Sequence, residues 1–240
     1  MTAMSRWTSV ALPLKRRARP QARRVELWLT DLDDLPLDAG PTGLTRRERV
    51  IKRRIQQRFV LRLLLGSYLG VPGKAVTIER NEHDKPELAG EFQSSGLTFN
   101  LSHSDRWLAI ALTRDRAIGV DIEHRRTMER APDLARRFFS GPDVEDILSL
   151  EEPERSACFL RQWTAREALI KAMGGSIARS IGQIAMACHP LEVRSLPDGW
   201  PPDWQLLEPA WPDGVTGHLA LPGDEAVELS CFWLQTAPGA

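Results

Sequence analysis

Apolar and polar positions along the chain trace short strands and longer helices. Residues 25–30 alternate well enough for a first strand, and residues 31–44, with Asp, Pro and Gly, read as a loop. A helix is expected from Thr45, the N-cap with Glu48 at the capping-box position, to about Leu69, where Gly70 and Pro72 end it. Its apolar positions Ile51, Ile55, Phe59 and Leu63 recur every fourth residue and so mark one helical stripe. Strands are expected at 75–79, 97–101 and 107–113, and a turn through 114–117 leads into another at 118–124. Helical patterns follow at 132–139, 142–150 and, most strongly, 153–173. Ser140 followed by Asp143 is a second capping signal, and Gly174-Gly175 stops the third helix. From about residue 184 the chain is rich in Pro and Trp, with short strand-like runs such as 226–234.

Strands and helices interleave without the regular βαβ cadence of a doubly wound sheet, so the fold class is α+β. Two halves, 25–118 and 119–240, would each have a long helix and several strands, although no sequence repeat relates them. The 240 residues, 42% hydrophobic, suffice for one large core or two smaller ones.

Charge changes the picture at one end. Lys+Arg and Asp+Glu both total 32, yet residues 1–24 hold seven basic residues and no acid. A solvated, disordered tail is the plainer reading, and a transit peptide would share its composition. No apolar run has the length of a membrane span. Cys158, Cys188 and Cys231 lie far apart with no CxxC spacing, which excludes a zinc knuckle or redox motif and points to a reducing, cytoplasmic setting.

The candidate chemistry begins with Asp121 and Glu123. They alternate with Ile118, Val120 and Ile122, so strand periodicity puts both carboxylates on one face. Like charges at the edge of a core need a cation. Trp163, Glu167 and Lys171 lie at i, i+4 and i+8 on the 153–173 helix. Taken alone this is a core Trp beside a surface ion pair. Set beside the strand acids, Glu167 completes three oxygen ligands for one hard cation, and magnesium so held keeps positions for phosphate oxygens. Arg46, Arg47, Arg49, Lys52, Arg53, Arg54, Arg58 and Arg62 crowd the first helix against the single acid Glu48. A solvated basic face is the ordinary meaning of such a run. Asn100-Leu101-Ser102-His103-Ser104 offers donors to an anion, and Asp84-Lys85-Pro86 sets a cation in a loop.

In order, Leu101-Ser102-His103-Ser104, Ile118-Gly119-Val120-Asp121-Ile122-Glu123, Arg137-Phe138-Phe139-Ser140 and Trp163-Thr164-Ala165-Arg166-Glu167-Ala168-Leu169-Ile170-Lys171 resemble the signature of the 4′-phosphopantetheinyl transferases. The length and the early basic helix resemble the surfactin-synthetase-activator type, a monomer of two similar α+β halves, a pseudo-dimer with a coenzyme A cleft between them. The resemblance covers roughly residues 45–175. It implies transfer of the phosphopantetheine arm of coenzyme A to a serine of an apo acyl, peptidyl or polyketide carrier protein. Asp121, Glu123 and Glu167 would hold magnesium, with manganese an alternative. Glu167 and Lys171 would be catalytic. Arg54, Arg58, Arg62, Lys85, Ser102, His103, Asp121 and Lys171 would contact coenzyme A, with Arg58 and Arg62 near its 3′-phosphate. Three departures stand out: Arg166 replaces the usual Lys, Asp84 replaces the Gly before Lys85, and one extra residue lies between His103 and Asp121.

Two rivals follow from the same residues. A metal-dependent nuclease also combines strand acids with Glu and Lys, but its Glu-x-Lys usually lies on a strand, and here the spacing is four in a helical pattern. A relative that binds coenzyme A or a carrier without turnover would have no need of three intact acids and Lys171. Neither nucleic acid nor membrane is an expected partner.

Overall fold

The computed structural model describes residues 7–35, 44–175 and 177–236. The strands are β1 (Trp7–Ala11), β2 (Arg24–Asp31), β3 (Ile78–Arg80), β4 (Pro86–Leu88), β5 (Leu97–Ser104), β6 (Trp107–Arg114), β7 (Gly119–His124), β8 (Ala185–Ala187), β9 (Glu192–Ser195), β10 (Trp204–Leu207), β11 (Val215–Pro222) and β12 (Glu228–Gln235). The helices are α1 (Arg46–Leu69), α2 (Ala131–Phe138), α3 (Gly141–Leu148), α4 (Glu154–Met173) and α5 (Ile177–Ser180). A five-stranded sheet runs β1-β12-β2-β6-β5 and a three-stranded sheet β10-β11-β7; β3–β4 and β8–β9 are small two-stranded pairings. The fold is α+β, as the pattern implied.

Strand alternation builds two cores from one sheet. In β2, Trp28 points to α1 and packs with Leu61, Leu64 and Leu65, while Val25, Leu27 and Leu29 point the other way. That second face meets Val120, Ile122, Val215, Leu219 and Leu221 of the three-stranded sheet. A third core gathers Phe159, Leu169 and Ile170 of α4 with Ile184, Met186 and Ala220. The order is therefore α1, large sheet, small sheet, α4.

α1 begins and ends where expected. Thr45 and Glu48 form a reciprocal capping box, and Gly70 closes the helix in the left-handed region at φ 75°. Its buried face is not the expected one. Ile51, Ile55 and Phe59 are 48%, 62% and 46% exposed, and the face on the sheet is Gln56, Val60, Leu61, Leu64 and Leu65. The helix carries two apolar stripes, and only the sheet decides which is covered.

The N-terminal segment also differs. Trp7–Ala11 forms β1, parallel to β12. The Arg17 guanidinium lies 4.7 Å from the Trp28 ring and 4.6 Å from that of Phe232, and Arg19 donates to Ser95 O at 3.0 Å. Arginines that suggested a solvated tail instead fasten it through cation–π and backbone contacts. Residues 1–6, and the 36–43 part of the expected loop, lie outside the described residues.

Three smaller corrections concern local signals. The run at 75–79 is a 3-10 turn at Gly73–Ala75 followed by β3. Ser140 precedes α3 without a side-chain cap, and Asp143 turns inward to Arg166, Arg194 and the Met186 N–H. Cys158 and Cys188, expected as separate thiols, are joined in a disulfide. β12, the last strand of the chain, returns to the large sheet between β1 and β2.

Candidate functional site

α4 packs against β7 at backbone distance, and Gly119 makes this close approach available. A Cβ there would collide with Ala168 O and lie 2.6 Å from Ala172 N. The consequence is that the α4 face of β7, carrying Asp121 and Glu123, lies against the helical stripe carrying Glu167 and Lys171.

Lys171 Nζ donates to Asp121 Oδ1 at 2.6 Å, to Ser102 Oγ at 3.1 Å and to Val120 O at 3.3 Å, and lies 3.9 Å from Glu167 Oε2. Ser102 Oγ donates to the same Asp121 Oδ1 at 2.7 Å. Glu123 sits one alternation along, where Ser104 Oγ donates to its Oε2 at 2.8 Å and Arg126 Nη1 at 3.2 Å. Burial pushes the Asp121 carboxyl up despite the Lys171 ammonium beside it. Burial, then the Asp121 charge, raises Glu167 to about 7, with Lys171 opposing. Both acids are thus short of positive charge with one ammonium between them.

A cavity of about 640 Å³ opens between α1 and the β3–β4 loop. Arg54, Arg58, Arg62, Arg80 and His103 line it, with Leu61, Ile78 and Leu101 as apolar wall. Arg62 is tied to Val76 O. His103 lies between cavity and acid cluster: burial and then Lys171 hold its imidazole below the usual range, while Asp121 and Glu123 pull it up. Guanidinium groups beside an apolar wall suit a ligand with phosphates at one end and a flat ring at the other.

The other expected residues are placed as follows. Lys85 Nζ reaches Ala172 O at 3.5 Å at the end of α4, and burial lowers its pKa. Asp84 before it has φ 63°, a left-handed conformation that Gly adopts freely and Asp tolerates, which accounts for that departure. Arg166 is fully buried, paired with Asp143 and bonded to Gln162 and Ile184 O, with its guanidinium over the Phe139 ring at 3.9 Å. It is an anchor of α4, away from the acid cluster. Ser102 is 5% exposed, and its hydroxyl is directed to Asp121.

Sequence reasoning missed Arg80, and it missed the engagement of Asn100 and Ser104 with β7. The available signal was the alternation of Asn100, Ser102 and Ser104, which puts three hydrogen-bonding side chains on one face of β5.

Two family models divide the chain. One, described as 4′-phosphopantetheinyl transferase, N-terminal, matches residues 46–115; the other, the 4′-phosphopantetheinyl transferase superfamily, matches 117–208. The 4′-phosphopantetheinyl transferase HetI of Nostoc sp. is 35% identical over 211 residues, covering 83% of this chain and 88% of the relative. The chain belongs to the 4′-phosphopantetheinyl transferase superfamily. A putative 4′-phosphopantetheinyl transferase of Synechocystis sp. is 31% identical over 193 residues, 75% of this chain and 78% of the relative. The 4′-phosphopantetheinyl transferase Sfp of Bacillus subtilis is 32% identical over 91 residues, 38% of this chain and 39% of the relative. This membership favours a phosphopantetheinyl transferase over both the nuclease and the non-catalytic binder.

Such a transferase implies a divalent cation. Among the described residues no three His, Cys, Asp or Glu groups are gathered closely enough to hold one as they stand. The donor chemistry nevertheless fits. Asp121 Oδ2 is buried without a hydrogen-bond partner, and Lys171 holds the place of a counter-charge between Asp121 and Glu167. Among the described residues no helix is long and apolar enough to cross a membrane.

Proposed function

We propose that this transferase moves the 4′-phosphopantetheine arm of coenzyme A to a serine of an apo carrier protein. The single observation that carries the reading is the convergence of Asp121, Glu167 and Lys171 beside an arginine-lined cavity. Coenzyme A lies in the cleft between two halves of the chain. Arg54, Arg58, Arg62 and His103 take the phosphates of its nucleotide end, Lys85 borders it, and Ser102 and Lys171 face the pyrophosphate. Asp121, Glu123 and Glu167 would hold magnesium, which when bound would neutralise pyrophosphate oxygens.

The serine oxygen attacks the phosphorus next to the pantetheine arm. The bond from that phosphorus to the bridging oxygen breaks, and adenosine 3′,5′-bisphosphate leaves. Glu167, the α4 carboxylate beside Lys171, accepts the serine proton. Lys171, held by Asp121, donates to phosphate oxygens as negative charge accumulates there. No covalent enzyme intermediate is needed. The enzyme works as a cytoplasmic monomer, with carrier protein and coenzyme A as partners and no nucleic acid or membrane.

Intact mass spectrometry tests this. Several apo carrier proteins are incubated with enzyme, magnesium and coenzyme A, with Asp121→Ala and Glu167→Ala alongside. The expected result is a magnesium-dependent gain of one phosphopantetheine on a carrier, lost in both variants. Coenzyme A binding without transfer to any carrier would move the reading to a binding protein.

A further inference from the structure

β5 and β7 are the outer strands of their sheets, and neither pairs with the other through its backbone. Side chains join them instead. Asn100 Oδ1 accepts from the Val120 N–H at 2.9 Å, Ser102 Oγ from Ile122 N–H at 3.3 Å and Ser104 Oγ from His124 N–H at 3.0 Å. The rungs advance by two residues on both strands, so the ladder repeats with the strand period.

A serine hydroxyl has one proton and two lone pairs. Each serine oxygen here accepts from a β7 N–H, which leaves its proton for a carboxylate. Ser102 gives it to Asp121 Oδ1 at 2.7 Å, and Ser104 gives it to Glu123 Oε2 at 2.8 Å. The same device thus presents two successive acids of one strand. Glu123 has a competing partner, because Arg126 Nη1 lies 3.2 Å from that same oxygen, on a side chain that is 46% exposed. The ammonium of Lys171 steadies Asp121, whereas Ser104 is the inward partner of Glu123.

We infer that Ser104 is a positioning residue for Glu123. Its hydroxyl, fixed by the His124 N–H, holds that carboxylate beside Asp121 against the outward pull of Arg126, and so sets the affinity of the site for its divalent cation. The inference rests on the metal reading proposed above. Ser104 does not line the arginine cavity, so coenzyme A binding in the absence of metal is untouched by it. Losing such a supporting hydrogen bond typically weakens metal binding by about 10- to 100-fold.

The test measures Mn²⁺ affinity by electron paramagnetic resonance on the full chain with coenzyme A and no carrier, so that nothing turns over. Coenzyme A affinity and melting temperature are measured beside it. Ser104→Ala is expected to weaken Mn²⁺ binding by about 10- to 100-fold with metal-free coenzyme A affinity unchanged, and Ser104→Thr, which keeps the hydroxyl, to restore it. Should alanine unfold the strand, Thr and Val at this position, equal in shape, carry the same comparison; equal Mn²⁺ affinity in those two overturns the inference. Wild-type affinity in Ser104→Ala, with binding lost in Asp121→Ala, rejects the role of Ser104 and leaves the metal site standing. Wild-type affinity in Asp121→Ala as well would remove the metal reading and this inference together.

Discussion

Gly119→Ala asks whether the contact between α4 and β7 is what assembles the site. A methyl group at this position would lie 2.6 Å from Ala172 N and collide with Ala168 O. Ordinary van der Waals contact begins at 3.4 Å, so α4 must retreat by about 0.8 Å or more. Backbone atoms of a buried helix have no rotamer with which to yield. Overpacking of this kind costs about 1–3 kcal/mol. The retreat also carries Glu167 and Lys171 away from Asp121, and a misplacement of about 1 Å is worth roughly 100-fold in rate. The assay is the initial rate of carrier modification at saturating coenzyme A, together with a thermal melt. Gly141→Ala is the control, because a Cβ there meets nothing within 4 Å. A Gly119→Ala enzyme with full rate and wild-type melting temperature would refute the reasoning.

Other outcomes follow from the same geometry. Asp143→Ala leaves Arg166 buried without its counter-charge and is expected to cost about 3–5 kcal/mol in urea unfolding; a loss below about 1 kcal/mol would mean the pair is not the anchor described. Burial pushes Glu208 up, but the His218 ring 3.7 Å away and the hydrogen bonds from Arg161 overcome it and carry the carboxyl down from 4.5 to about 2. A depressed carboxyl stabilises above its unfolded pKa and loses that contribution as pH falls through the folded one. The stability advantage of wild type over Glu208→Gln should therefore shrink as pH falls from 4.5 toward about 2, and an advantage that grows with acid would contradict the assignment. On α1, Ile55→Ser should change stability by less than about 0.5 kcal/mol, whereas Leu64→Ala should cost about 2–5 kcal/mol; the reverse order would restore the face first expected.

The two faces of α1 mark the boundary of what local pattern reveals. The capping box at Thr45 and Glu48, the left-handed Gly70 and the length of the helix are set by neighbours within a few residues, and all were legible. Which stripe is buried depends on how the helix meets a sheet whose strands come from both ends of the chain, and Ile51, Ile55 and Phe59 stayed outside. The same limit hid β1, whose partner β12 lies more than two hundred residues away, and the disulfide between Cys158 and Cys188.

The candidate site divides in the same way. Alternation alone put Asp121 and Glu123 on one strand face, and helical spacing alone aligned Glu167 with Lys171, because both periods are properties of the local backbone. Tertiary structure decided that the strand and helix meet at Gly119, that Ser102 and Ser104 serve the two carboxylates, and that Arg166 is an internal anchor. These contacts join residues distant along the chain, and their burial sets the protonation of Asp121 and Glu167. A linear pattern records which groups are available; only packing decides which of them lose water and which charge they face.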